Sequence, residues 1–144
     1  MGSVTSDYAG LAERMLTHEV LVDTAAGCAA AVGRINQRLQ RRFAPLIGVA
    51  GMRALFVRSV KLTHLACSVL AELPTPEYGD NADITVPVVT LLSTLDYDVA
   101  RTVATALYAN FIGLTSTLIG ERLVMLVLQR AFPDLDVTAK QESE

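Results

Sequence analysis

The chain has 144 residues, 12 bases against 15 acids and a net charge of −3; 51% of its residues are hydrophobic and 19% charged. That length builds one domain with a core that needs neither metal nor disulfide, and the mild acidity gives no global drive toward nucleic acid. The two cysteines, Cys28 and Cys67, fit no disulfide framework and read as reduced, packed thiols of a cytoplasmic protein.

The distribution of charge says more than its total. Residues 24–71 carry seven bases and no acid, and residues 72–98 carry six acids and no base. A basic helical surface beside an acidic connector is the expected result. The first twenty residues hold acids and no apolar run, so they do not read as a secretory signal. Met1-Gly2-Ser3-Val4-Thr5-Ser6 fits the loose pattern for N-terminal acylation, a weak signal by itself.

In chain order, Asp7–Val22 reads as an opening helix capped by Ser6 or Asp7, with Leu11, Met15 and Leu16 at helical spacing. A break near Asp23 is left open. Thr24–Leu46 has the clearest pattern. Ala25, Cys28, Val32, Ile35, Leu39, Phe43 and Leu46 recur every three or four residues and form one stripe of a helix. Arg34, Arg38, Arg41 and Arg42 lie beside it. Gly48 and Pro45 end or loosen this helix. A third segment runs from about Ala50 to Leu73, with Met52, Leu55, Leu62, Ala66, Val69 and Leu73 as its stripe, widened by Phe56 and Leu70. The short junction favours an antiparallel hairpin of 24–46 with 50–73.

Residues 74–87 form a connector rich in Pro and Gly. Val88–Leu95 follows as a short helix started by Pro87, with a strand over Ile84–Val89 the weaker reading. Asp96–Phe132 is the longest helical stretch and ends at Pro133. As one rod it would measure ~55 Å, too long for a globule of this size. It must break, at Gly113 or Gly120, or project and be covered by another subunit. Within it, Thr102–Gly120 is uncharged but carries several Thr, Ser and Asn, so a buried helix is favoured over a membrane span. No internal repeat or low-complexity tract is evident. The expected fold is an all-α, single-domain bundle of about five helices over residues 1–133, with a polar, mobile tail over 134–144.

Three constellations are candidates for function. The basic group Arg34, Arg38, Arg41, Arg42 and Lys61 suits an anion, since arginine forks match phosphate and carboxylate oxygens. A solvated basic face is the plainer reading. Ala106, Ala109, Gly113, Ser116, Thr117 and Gly120 form a small-residue face that permits close helix approach, as in a dimer. The plainer reading there is the central helix of a monomer. His64-x-x-Cys67 is half of a metal site without its other half, so no metal or cofactor is implied. Glu121-Arg122 stands inside an apolar run, where an ion pair with another helix is expected. Phosphate-cradling, nucleophile-elbow and zinc-protease motifs are all missing.

The expected role is a non-catalytic interaction module: a self-associating adaptor or regulatory subunit, working as a homodimer or with another helical protein. An anion-binding or nucleic-acid-binding module is the alternative, with nucleic acid the less favoured partner. An integral membrane protein is not expected.

Overall fold

A computed structural model describes the backbone of residues 4–66 and 85–135. Five helices make up the fold: α1 (Val4–Glu19), α2 (Ala25–Ala66), α3 (Thr85–Leu92), α4 (Tyr97–Ile119) and α5 (Glu121–Ala131). No strand occurs among the described residues. The chain is an all-α bundle. Residues 67–84 and 136–144 lie outside the described residues; they include Cys67, the end of the predicted third segment, and most of the predicted connector and tail.

Two glycines shape the bundle. Gly48 (φ 84°, ψ 157°) interrupts α2 and separates an arm over 25–47 from one over 49–66. Gly120 (φ 97°, ψ 140°) separates α4 from α5. Both lie at backbone angles that only glycine adopts at little cost. The predicted 37-residue rod therefore breaks, and at one of the two glycines proposed for it. Pro45 sits inside α2 without ending it; the break comes three residues later.

The two halves of the chain repeat one plan that sequence reading misses. α2 starts at Ala25 and α4 at Tyr97, and the joints fall at Gly48 and Gly120, so both features recur 72 positions apart. Each joint reads Leu-Ile-Gly. Around it almost nothing else is identical, which is why the repeat is not visible in the sequence. Buried positions nevertheless correspond: Cys28 with Ala100, Val32 with Ala104, Ile35 with Leu107, Leu39 with Phe111, Phe56 with Leu128. Packing is reciprocal. α1 of the first half lies mainly on α4 of the second, and α3 of the second half lies on α2 of the first. The arms after the joints cross over too. Ala131 at the end of α5 reaches Arg38 of α2, and Thr63 on the second arm of α2 reaches Asn110 of α4. The result is a twofold-like intertwining of two helical units.

The core agrees with the α2 stripe through Cys28, Val32, Ile35, Leu39 and Phe43, all fully buried. Phe43 meets Phe111 edge-on, with ring centroids 5.8 Å apart. Leu46, the last member of the stripe, is half exposed because the joint follows it. On the second arm the buried face is rotated from the predicted one. Met52 and Phe56 are inside as expected, but Ser59, Val60 and Thr63 are inside with them, while Leu55 and Leu62 are only half-buried. Ser59 and Thr63 tolerate burial because each hydroxyl donates to a carbonyl one turn back, Leu55 and Ser59 respectively. α3 begins earlier than predicted, at Thr85, with Pro87 in its first turn where no intrahelical N–H is required.

Candidate functional site

The predicted basic face divides into two groups that do different things. α1 ends at Glu19, whose side chain is only 6% exposed. A carboxylate in that position needs partners. Arg34 supplies one, its Nε 3.3 Å from Glu19 Oε1 and its guanidinium also donating to the Glu19 carbonyl. Arg38 supplies another, at 3.5 Å from Oε2, and His18 lies 3.2 Å from the same oxygen. Arg38 further donates to the Ala131 carbonyl at 2.8 Å and stacks over Phe132 at 5.3 Å. Arg34 and Arg38 thus fasten α1 and the C-terminal end of α5 to α2. Both hold a buried acid of this chain, and that Glu19 contact joins residues 15 positions apart or more.

Arg41 and Arg42, one turn further along α2, are exposed and make no ion pair with any described residue. Arg130, in the last turn of α5, joins them. Spacing along the chain does not point to it, because its place opposite α2 depends on the break at Gly120. Together with Arg38, these three line a hollow of about 260 Å³ closed by Ala131 and Pro133. A second hollow of about 310 Å³ continues from it and shares Arg41, Arg42 and Arg130. Its other walls are apolar: Pro45, Leu46, Leu123, Leu126 and Val127. The two hollows form one cleft between α2 and α5, basic where α5 ends and apolar near the joints. Lys61 lies past the Gly48 joint, exposed on the second arm, and lines neither hollow.

The small-residue face of α4 is also divided. Ala109 and Gly113 are buried within the chain, Ala106 and Ser116 are half-buried, and Thr117 and Gly120 are exposed. Its interior part lets α4 pack centrally, and its exposed end reaches the joint, where Leu118 is 59% exposed. Glu121 and Arg122, expected inside an apolar helix, instead open α5 in exposed positions beside the joint. His64 is exposed, and no cluster of metal-ligating side chains occurs among the described residues.

Elsewhere, polar chemistry is used to clamp helices. Arg101 of α4 reaches Glu13 Oε2 at 3.1 Å and Thr17 Oγ1 at 2.9 Å on α1, and donates to Tyr97 Oη at 3.2 Å. Burial alone would lower its pKa, but the Tyr97 and Glu13 contacts outweigh that and raise it. Burial raises the Cys28 thiol, with Arg101 opposing, and raises the Tyr108 hydroxyl strongly. Neither group is poised for chemistry at neutral pH. By length and composition α2 and α4 would each be able to cross a membrane, although just over half of the α4 window is already buried in the chain. Comparison with known protein families, with curated proteins and with solved structures yields no match.

Proposed function

We propose that this chain is a non-catalytic helical interaction module, a cytoplasmic self-associating adaptor or regulatory subunit that forms a homodimer. The observation that carries this reading is the set of large apolar side chains in water at the two joints. Val49 follows Gly48, Leu118 precedes Gly120, and each is more than half exposed. Apolar residues grouped at a defined structural feature mark association surfaces more often than scattered ones do. Thr117 and Gly120 carry the small-residue face of α4 out to this surface, so a second copy can approach its backbone closely.

The test is molar mass by light scattering over a range of concentrations. The expected value is twice the 15.5 kDa of one chain, with Leu118→Glu shifting the population toward single subunits. A single-chain mass at every concentration would sink the reading.

The convergence of Arg41, Arg42 and Arg130 favours a second reading, an anion-binding module. Under that reading, binding to labelled DNA or RNA weakens steeply with salt and is lost when these arginines become glutamine. Salt-independent binding, or none, would remove it.

A further inference from the structure

We propose that the cleft between α2 and α5 is the docking site for an acidic, amphipathic helical segment of a partner protein. This inference rests on the interaction-module reading and names a partner for it. The first support is the state of the arginines. Arg34, Arg38 and Arg101 each hold an acid of this chain, whereas Arg41, Arg42 and Arg130 converge on one hollow with no acid of the described residues against them. Asp134, close by in sequence, makes no ion pair with them. Guanidinium groups that line one hollow repel one another unless an anion lies between them.

The second support is the apolar continuation. Pro45, Leu46, Leu123, Leu126 and Val127 extend the same cleft, and Leu126 is 51% exposed. A bare phosphate would leave this surface in water. A helix that carries carboxylates at one end and leucine-like side chains at the other satisfies both parts at once. The length is compatible: from Arg38 to Leu46 α2 advances ~12 Å at 1.5 Å per residue, so two to three turns of a partner helix cover it.

The third support separates protein from nucleic acid. Bases bind such grooves by stacking on exposed aromatic rings. Phe43 and Phe132, the aromatic residues nearest the cleft in sequence, are fully buried, and neither lines a hollow. The walls offer apolar contact without stacking surfaces.

The experiment displays a library of short helix-stabilised peptides and selects on the intact chain. Enriched peptides are then titrated by fluorescence anisotropy at low and high salt against wild type, Arg41→Gln/Arg42→Gln/Arg130→Gln and Leu126→Lys. All the altered residues are exposed, so thermal melts of the variants should match wild type and folding is not in question. The expected result is peptides with clustered Asp or Glu at one end and Leu, Ile or Phe at i, i+3 or i+4 at the other. Their affinity should fall at least about tenfold in each variant, and with added salt. Selection of no binder, of binders without acids, or of binders indifferent to both variants would overturn the proposal. So would a labelled oligothymidylate that binds the arginines while the peptides do not. If the triple arginine variant abolishes the dimer, the occupant is a second copy and the proposal also fails. A dimer that persists, and that Leu118→Glu still disrupts, while no acidic peptide binds, leaves self-association standing and removes only this inference.

Discussion

Tyr108 donates its hydroxyl to Asn36 Oδ1 at 2.6 Å, and the two residues occupy equivalent positions in the two halves of the chain. Both are buried. Equivalent residues of a reciprocal pair can touch one another only near the axis that relates them. The bond therefore marks the centre of the intertwined fold. The Val32 carbonyl, 3.1 Å from the same hydroxyl, lies one turn earlier on α2. α2 and α4 are thus joined at the middle by a buried polar contact, as they are again where Asn110 meets Thr63.

Tyr108→Phe should destabilise the chain by about 1–2 kcal/mol, since it leaves a buried amide oxygen without its donor. Chemical denaturation at fixed protein concentration measures this. The same residue sets a pH dependence. Burial raises the Tyr108 hydroxyl well above its ordinary value of about 10. The unfolded chain therefore releases that proton first, and the folded chain retains it. The stabilisation is complete below about pH 10 and is lost as pH rises toward the folded value, at up to about 1.4 kcal/mol per pH unit. In Tyr108→Phe the decline above pH 10 should be shallower. An unchanged slope would show that other groups govern it.

Cys28 gives an independent readout of the same interior. It is fully buried and its thiol is raised by that burial, with Arg101 opposing. In a Cys67→Ser background, alkylation of Cys28 at neutral pH should be much slower in the folded chain than in denaturant, because the thiolate is scarce and the sulfur is covered. Equal rates in both states would mean that the α2–α4 core opens readily.

Glu19 predicts an asymmetry. It is 5% exposed, whereas the side chains of Arg34 and Arg38 are each 39% exposed. Removing the acid by Glu19→Ala frees arginines that can turn to water, at a cost of about 1–2 kcal/mol. Removing both arginines leaves a buried carboxylate with only His18 beside it and should cost about 3 kcal/mol or more. The double variant also loses the Arg38 bond to Ala131, so α5 should loosen first. Hydrogen exchange in α5 against α1 distinguishes the two losses. Equal destabilisation by both changes would show that Glu19 is solvated in the folded state.

How far the sequence discloses this molecule depends on the range of each interaction. The α2 stripe from Cys28 to Phe43 is local periodicity, and its burial follows directly. That the long C-terminal segment either breaks at a glycine or projects is legible from its length, whereas the choice of Gly120 over Gly113 is not, because only the fold shows Gly113 buried within α4. Spacing along α2 groups Arg34 and Arg38 with Arg41 and Arg42, because it cannot show that Glu19 lies against two of them and not the others. Arg130 is the converse case, since only the fold brings it to α2. Ser59 and Thr63 rotate the buried face of the second arm because their hydroxyls are satisfied within the helix and by Asn110, which a hydrophobic pattern does not record.

The joints themselves allow a test in which strain is separated from sterics. A methyl group at Gly48 or Gly120 would meet no atom within 4 Å, yet φ is +84° at the first and +97° at the second. Gly48→Ala and Gly120→Ala should each cost ~1–3 kcal/mol purely through backbone strain. Gly33 provides the contrast, since it lies inside α2, shows no positive φ and also has open space around an added methyl. Gly33→Ala should stabilise by ~0.5–1 kcal/mol, the ordinary gain of alanine over glycine within a helix. Denaturant midpoints of the three variants settle the matter. If Gly48→Ala and Gly120→Ala were neutral or stabilising like Gly33→Ala, the joints would not be holding glycine-only angles, and the reciprocal crossing of α5 and the second arm of α2 would need another cause.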